Sequence, residues 1–170
     1  MGEMPRVSRR GVRIMSYWLA AGLAALLDQA TKAAIRVLSP EVGRIGTLIP
    51  GLFDLYHVEN SGAAFSIGEG AGILFLVIAV AVIGLTFAFV CTQDVPLSLT
   101  ISLACVAGGG AGNMVDRLAN GTVTDFIATT FMNFPVFNVA DMFVTCGAVL
   151  SFLLYVRWEK KREQEEVARV

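Results

Sequence analysis

Four long apolar runs, at about 15–37, 71–91, 97–116 and 139–157, are separated by stretches where polar and charged residues return. Crossing the hydrocarbon core takes about 20 mainly apolar residues in helical form, so each run predicts one membrane-spanning helix. The connection Thr92–Pro96 is short enough only for a tight turn. The stretches Ser39–Gly70 and Leu118–Asn138 then lie together on the opposite side. Leu52–Val58 mixes β-branched and aromatic residues with charges at near period two, bounded by the turn pair Pro50-Gly51, which predicts a short strand region. Phe126, Phe131, Phe134 and Phe137 make the second stretch apolar enough to lie against the membrane surface. The expected fold is an all-α membrane protein, with four transmembrane helices and a small extracytoplasmic β-containing region. It forms one domain over residues 1–170 with a charged, helical tail at 158–170.

Composition supports lipid as the solvent. The chain is 55% hydrophobic and 16% charged, with a mean hydropathy of +0.67, far too apolar for an ordinary soluble domain. The net charge of -1 conceals basic clusters at both ends: Arg6, Arg9, Arg10 and Arg13, and then Arg157, Lys160, Lys161, Arg162 and Arg169. Both termini are therefore expected in the cytoplasm, which an even number of spans allows. The Thr92–Pro96 turn carries Asp94 and no Lys or Arg, so it adds nothing to that assignment. The start has the outline of a secretory leader, but three further apolar runs follow, and a discarded leader has no use for Asp28 and Lys32. Cys91, Cys105 and Cys146 stand alone in apolar runs and read as small hydrophobes rather than ligands or disulfide partners.

The polar residues inside the spans fall at one depth. At a rise of ~1.5 Å per residue, Asp28 lies about 20 Å into a span entering near Met15, and Lys32 shares its face one turn further out. Asn113 lies about 24 Å into the third span, with Asp116 and Arg117 following at i+3 and i+4. Asp141 opens the fourth span, and Asp125 belongs to the outer stretch that returns to it. Charges at such depth are costly unless paired or lining a cavity. For Asp28 with Lys32 and Asp116 with Arg117, ion pairs that merely fix the bundle are one reading, compatible with a supporting role around a site. Asp125 and Asp141 have no basic neighbour in sequence.

Two unpaired carboxylates at one interface suggest aspartic peptidase chemistry: one proton is shared, one aspartate activates water and the other donates to the substrate carbonyl. His57 is the only histidine, which disfavours a metal site, and it reads as a packed or interfacial residue of the outer strand. A nucleophilic Ser61 or Ser66 activated by Lys32 is the rival chemistry. The run Gly108, Gly109, Gly110 and Gly112 lacks the Lys and hydroxyl of a phosphate loop and reads as close helix packing. A proton-coupled transporter also uses intramembrane carboxylates, but spreads them through the membrane depth.

Five blocks carry a family resemblance: Asp28-Gln29-Ala30-Thr31-Lys32; Asn60-Ser61-Gly62-Ala63-Ala64-Phe65; Gly109 to Arg117; Val123-Thr124-Asp125-Phe126; and Phe137-Asn138-Val139-Ala140-Asp141. In this order, over about 115 residues, they resemble lipoprotein signal peptidase, also called signal peptidase II. The resemblance implies that Asp125 and Asp141 are the catalytic dyad. It further implies that Asp28, Lys32, Asn60, Gly62, Asn113, Asp116, Arg117 and Asn138 line or brace the site. The implied reaction is cleavage before the diacylglyceryl-modified cysteine of a bacterial prolipoprotein, in the cytoplasmic (inner) membrane near its outer face. No cofactor, metal or nucleic acid is expected. The expected partners are prolipoprotein substrates and membrane lipids, and the expected working form is a monomer.

Overall fold

The structure, a computed structural model, describes residues 8–62 and 72–168. Arg6, Arg169, Ala63 to Phe65 of the second block, and Ser66 lie outside the described residues. Seven elements follow in order: α1 (Arg9–Leu38), β1 (Gly43–Ile49), β2 (Phe53–Asn60), α2 (Gly72–Thr92), α3 (Leu97–Asn120), β3 (Val123–Thr129) and α4 (Val139–Val167). Over the described residues the four apolar runs lie in helices, and the charged tail continues α4 as far as Val167. Three helices, α2, α3 and α4, are long and apolar enough to cross a membrane.

α3 is the central helix, touching each of the other three. Its glycines explain the close approach. A methyl group on Gly108 would overlap the Ala21 carbonyl and the Ala24 side chain of α1, and one on Gly109 would meet Ala140 and Val144 of α4. Small residues here let backbones touch, as in other membrane helix pairs. α1 buries Tyr17, Ala21, Ala24, Asp28, Lys32 and Ile35, a stripe at helical spacing, while Leu19, Leu23, Leu26 and Leu27 face outward. α2 is apolar all round and buries only Val90, which suits a helix surrounded by lipid. At the end holding the α1 N-terminus, Arg13 pairs with Asp94 of the α2–α3 turn.

At the other end a three-stranded antiparallel sheet, ordered β1-β2-β3, covers the helix ends. The β1–β2 hairpin turns at Pro50-Gly51, where Gly51 takes a φ of +74°, a conformation that glycine adopts without cost. α3 ends at Gly121 in the left-handed conformation, its N–H donating to the Arg117 carbonyl, and β3 starts two residues later. The sequence reading anticipated a strand only at Leu52–Val58; β1 and β3 are additions. Phe126 is also a correction. It is buried in the sheet rather than lying on the membrane surface, because its strand pairs with β2 on one side. On the other side Phe126 and Ile127 donate N–H groups to the Phe137 carbonyl, and Phe137 donates back to Ile127. These bonds carry the chain from β3 to the start of α4.

Candidate active site

The positions Asp28, Lys32 and Arg36 recur every four residues and so share one face of α1. Lys32 is fully buried and its ammonium has three acceptors, each at 2.8 Å: Asp28 Oδ2, Asp116 Oδ2 and Asn113 Oδ1. Those are all the protons an ammonium can donate. Asp116 also receives Arg36 Nη2 at 2.8 Å and Gln29 Nε2 at 3.2 Å. Asp28 uses its second oxygen to accept the Ala140 N–H of α4 at 2.9 Å.

The expected pairing of Asp116 with Arg117 does not form. Adjacent helical residues point in different directions, so Asp116 turns toward α1, whereas Arg117 Nη2 donates to the Gly62 carbonyl at 3.0 Å. The Arg117 guanidinium also sits 4.8 Å from the centre of the Phe75 ring, within cation–π range.

Asp125 and Asp141 are held by neutral amides. Asp125 Oδ2 accepts from Asn60 Nδ2 at 2.8 Å and Oδ1 from Asn138 Nδ2 at 2.7 Å. Asp141 Oδ1 accepts from Asn113 Nδ2 at 2.8 Å and Oδ2 from the Asn138 N–H at 3.0 Å. Asn138 is the N-cap of α4; its Oδ1 accepts the Asp141 N–H, completing a capping box. The sequence supplies this start directly, with Asn at the cap and Asp three residues on. Asn113 Oδ1 accepts from both Lys32 and Asn138, which leaves its amino group for Asp141. Lys32 thus reaches the pair through an amide and without a salt bridge.

β2 and β3 set the other half. The register places Val58 opposite Asp125 and Asn60 opposite Val123, after an irregularity between Leu55 and Val58. Asp125 is only 3% exposed. Burial, aided by the Asp141 charge and opposed by the Asn60 and Asn138 hydrogen bonds, lifts its carboxyl to about 6. His57 is packed, with Nδ1 2.6 Å from the Ser39 carbonyl and Nε2 3.0 Å from Glu59. Burial pushes Glu59 up, but hydrogen bonds from Thr122, His57 and Thr124 outweigh it and hold the carboxyl below its ordinary value. Thr124 also accepts from Arg36 Nε at 2.9 Å, which ties α1 to the sheet.

Arg36 and Glu59 were not singled out from the sequence, and Gln29 and Thr124 stood in the motif blocks without a role in the site. Arg36 carried a readable signal, since it extends the spacing of Asp28 and Lys32 by one more turn. The Ser61 rival loses its base, because Lys32 is committed to two carboxylates and an amide; Ser66 lies outside the described residues.

Asp125, Asp141, Asn60, Gly62, Asn113 and Arg117 line a cavity of about 620 Å³. Its other walls are mainly apolar, with Phe75, Ile78, Ala79 and Val82 from α2 and Met142, Val144 and Cys146 from α4. Asp28, Lys32, Asp116 and Asn138 stand behind this surface as braces. The arrangement offers two carboxyl groups on the wall of a largely apolar cavity.

Residues 20–157 match the family profile described as signal peptidase (SPase) II. The chain is similar to the lipoprotein signal peptidase of Enterococcus faecalis, at 34% identity over 89% of this chain and 94% of that one. It is 36% identical to that of Halalkalibacterium halodurans over 91% and 100%, and 38% identical to that of Neisseria gonorrhoeae over 81% and 87%. A solved bacterial membrane enzyme superposes with a TM-score of 0.74 at 27% identity, covering 83% of this chain and 87% of that one.

Proposed function

Since the chain belongs to the signal peptidase II family and removes signal peptides from prolipoproteins, we propose that Asp125 and Asp141 perform the hydrolysis. The observation that carries this is their convergence on Asn138 at the wall of a largely apolar cavity. Asp125, lifted to about 6, holds the shared proton. Asp141 takes a proton from water, whose oxygen attacks the scissile carbonyl carbon while Asp125 protonates the carbonyl oxygen. Collapse of the tetrahedral intermediate returns a proton to the leaving nitrogen as the C–N bond breaks. Amide donors suit this exchange, because a cation bound to either carboxylate would hold it ionised.

The apolar walls suit the diacylglyceryl group of a modified cysteine, entering from the bilayer so that the bond before that cysteine meets the pair. The four helices all span the bacterial cytoplasmic membrane, with both termini inside and the sheet and the pair at the outer face. In α1 the charged Asp28 and Lys32 are turned into the bundle and neutralised, while leucines face outward, which makes this helix compatible with lipid. The pairing of Arg13 with Asp94 supports a common face for the N-terminus and the α2–α3 turn. The chain is read here as a single domain that works as a monomer. A proton-coupled transporter finds no support, because Asp28, Asp116, Asp125 and Asp141 gather at one end of the bundle.

The test is purified chain in detergent, offered three precursor peptides: lipidated, unlipidated, and with the cysteine replaced. Only the first should be shortened; equal cleavage of all three would remove the specificity. Cysteine labelling in whole cells should reach positions near Glu41 and Asn120 from outside, but not positions near Arg10, Asp94 and Lys161. Termini on opposite faces would overturn the topology.

A further inference from the structure

At the end of the bundle away from Asp125 and Asp141, a second cavity of about 570 Å³ opens between the start of α1, the α2–α3 turn and the charged end of α4. Arg9, Arg13, Lys161 and Arg162 line it against only two carboxylates, Asp94 and Glu165. Arg13 pairs with Asp94, and its Nε is a buried donor with no partner among the described residues. Lys161 lies 3.8 Å from Glu165, whereas Arg9 and Arg162 face the cavity without a carboxylate partner among the described residues. Arg162 stacks 5.0 Å from the centre of the Trp158 ring, which also lines the cavity. α3 begins here at Pro96 with no side-chain cap, so the positive end of its dipole adds to the field.

We propose that this cleft binds the phosphodiester headgroup of an anionic glycerophospholipid. Basic pockets between helices at the cytoplasmic surface hold such headgroups, and Trp favours that depth. The volume falls within the ~300–1,000 Å³ usual for a small-molecule site. The proposal rests on the four-span reading, which sets this end of the bundle at the inner surface.

The experiment follows thermal unfolding of the full chain in detergent during titration with phosphatidylglycerol, phosphatidylcholine or inorganic phosphate, with native mass spectrometry to count retained lipid. Phosphatidylglycerol should raise Tm along a saturating curve, as a ligand of the folded state does, and should remain bound. The other two should do neither. Lys161→Gln with Arg162→Gln, and separately Arg9→Gln, should lose most of the rise. Arg157→Gln with Lys160→Gln, an equal charge loss on the same helix outside the cleft, should keep it. An equal loss in all variants means diffuse attraction and overturns the site; an equal rise with inorganic phosphate overturns the lipid assignment. Topology labelling in whole cells reports separately on the four-span reading, so correctly placed termini without lipid retention would count against the cleft alone.

Discussion

Asn138 Nδ2 donates to Asp125 Oδ1 across 2.7 Å, so the residue that caps α4 also holds the carboxyl group of β3. Its two functions use different atoms: Oδ1 accepts the Asp141 N–H and Nδ2 serves Asp125. Asn138→Ser, which keeps a capping oxygen and loses the amino donor, should separate them. Asn138→Ala should cost about 1 kcal/mol of stability through the cap, and Asn138→Ser distinctly less, while both should lose activity alike. Thermal unfolding and turnover of lipidated precursor are the readouts. A Ser variant with full activity would show that the Asp125 contact is dispensable.

Asp125→Asn and Asp141→Asn should each reduce turnover by about 10²- to 10⁴-fold, the usual cost of losing a positioned acid or base. The double variant should be scarcely worse, because groups acting as one unit are strongly non-additive. Ser61→Ala should retain substantial activity. If either Asn variant folds and still cleaves at more than about a tenth of the parent rate, outside that range, the assignment of the pair fails.

Lys32→Met strands Asp28 and Asp116 with only part of their compensation, and removing one partner from a buried ion pair costs ~3–5 kcal/mol. Lys32→Arg should also be damaging, since a planar guanidinium does not reproduce the three-way donation of an ammonium. Both should lower the unfolding temperature. An Arg variant as stable as the parent would show that charge alone is required there.

Two glycines on one helix make a matched comparison. A methyl group on Gly112 would collide with the Asp28 carboxylate, whereas one on Gly110 meets nothing. Gly112→Ala should therefore displace Asp28 from Ala140 and reduce both stability and turnover. Gly110→Ala should be neutral or gain up to ~1 kcal/mol from helix propensity. Equal stability of the two variants would contradict the packing described.

The buried Asp125 makes the protein respond to pH in a definite direction. Its folded value of about 6 exceeds the ordinary carboxylate value of about 4, so the native state binds the extra proton. The associated stability, about 3 kcal/mol by linkage, is fully present below about 4 and is lost as pH rises to about 6. With Asp125 as the acid, kcat/KM should fall as pH rises through the same value. Unfolding between pH 4 and 7 should show this slope in the parent and lack it in Asp125→Asn. The same slope in both proteins would assign it to another group.

The helices, and the depth at which their charges meet, were legible because apolar runs and helical spacing are local signals. Asp28, Lys32 and Asn113 could be placed by counting residues. The direction of Asp116 could not, since spacing within α3 does not say which neighbouring helix lies on which side. β1 and β3 were hidden for a similar reason. A strand such as Val123–Thr129 is fixed by partners distant in the chain, β2 on one flank and Phe137 on the other, and its burial on both sides removes the alternation that would reveal it. The capping role of Asn138 was written in the sequence as an Asn followed three residues later by Asp, although its contact with Asp125 depends on the sheet.

The hydrogen bond from Ala140 to Asp28 joins positions 112 apart in the chain, and this bears on the order of synthesis. α1 leaves the ribosome long before the carboxylate, amide and backbone partners it meets in α3 and α4 exist. Until then Asp28 and Lys32, four residues apart and 2.8 Å from each other, can neutralise one another within a single helix, which on the four-span proposal lowers the cost of waiting in lipid. Asp116 arrives later and draws on Lys32 and Arg36, and Asn138 and Asp141 arrive last. On the proposed assignment of the pair, a nascent chain holds both carboxyl groups in place only once its final helix has docked, which keeps hydrolytic chemistry out of the membrane while the enzyme is still being made.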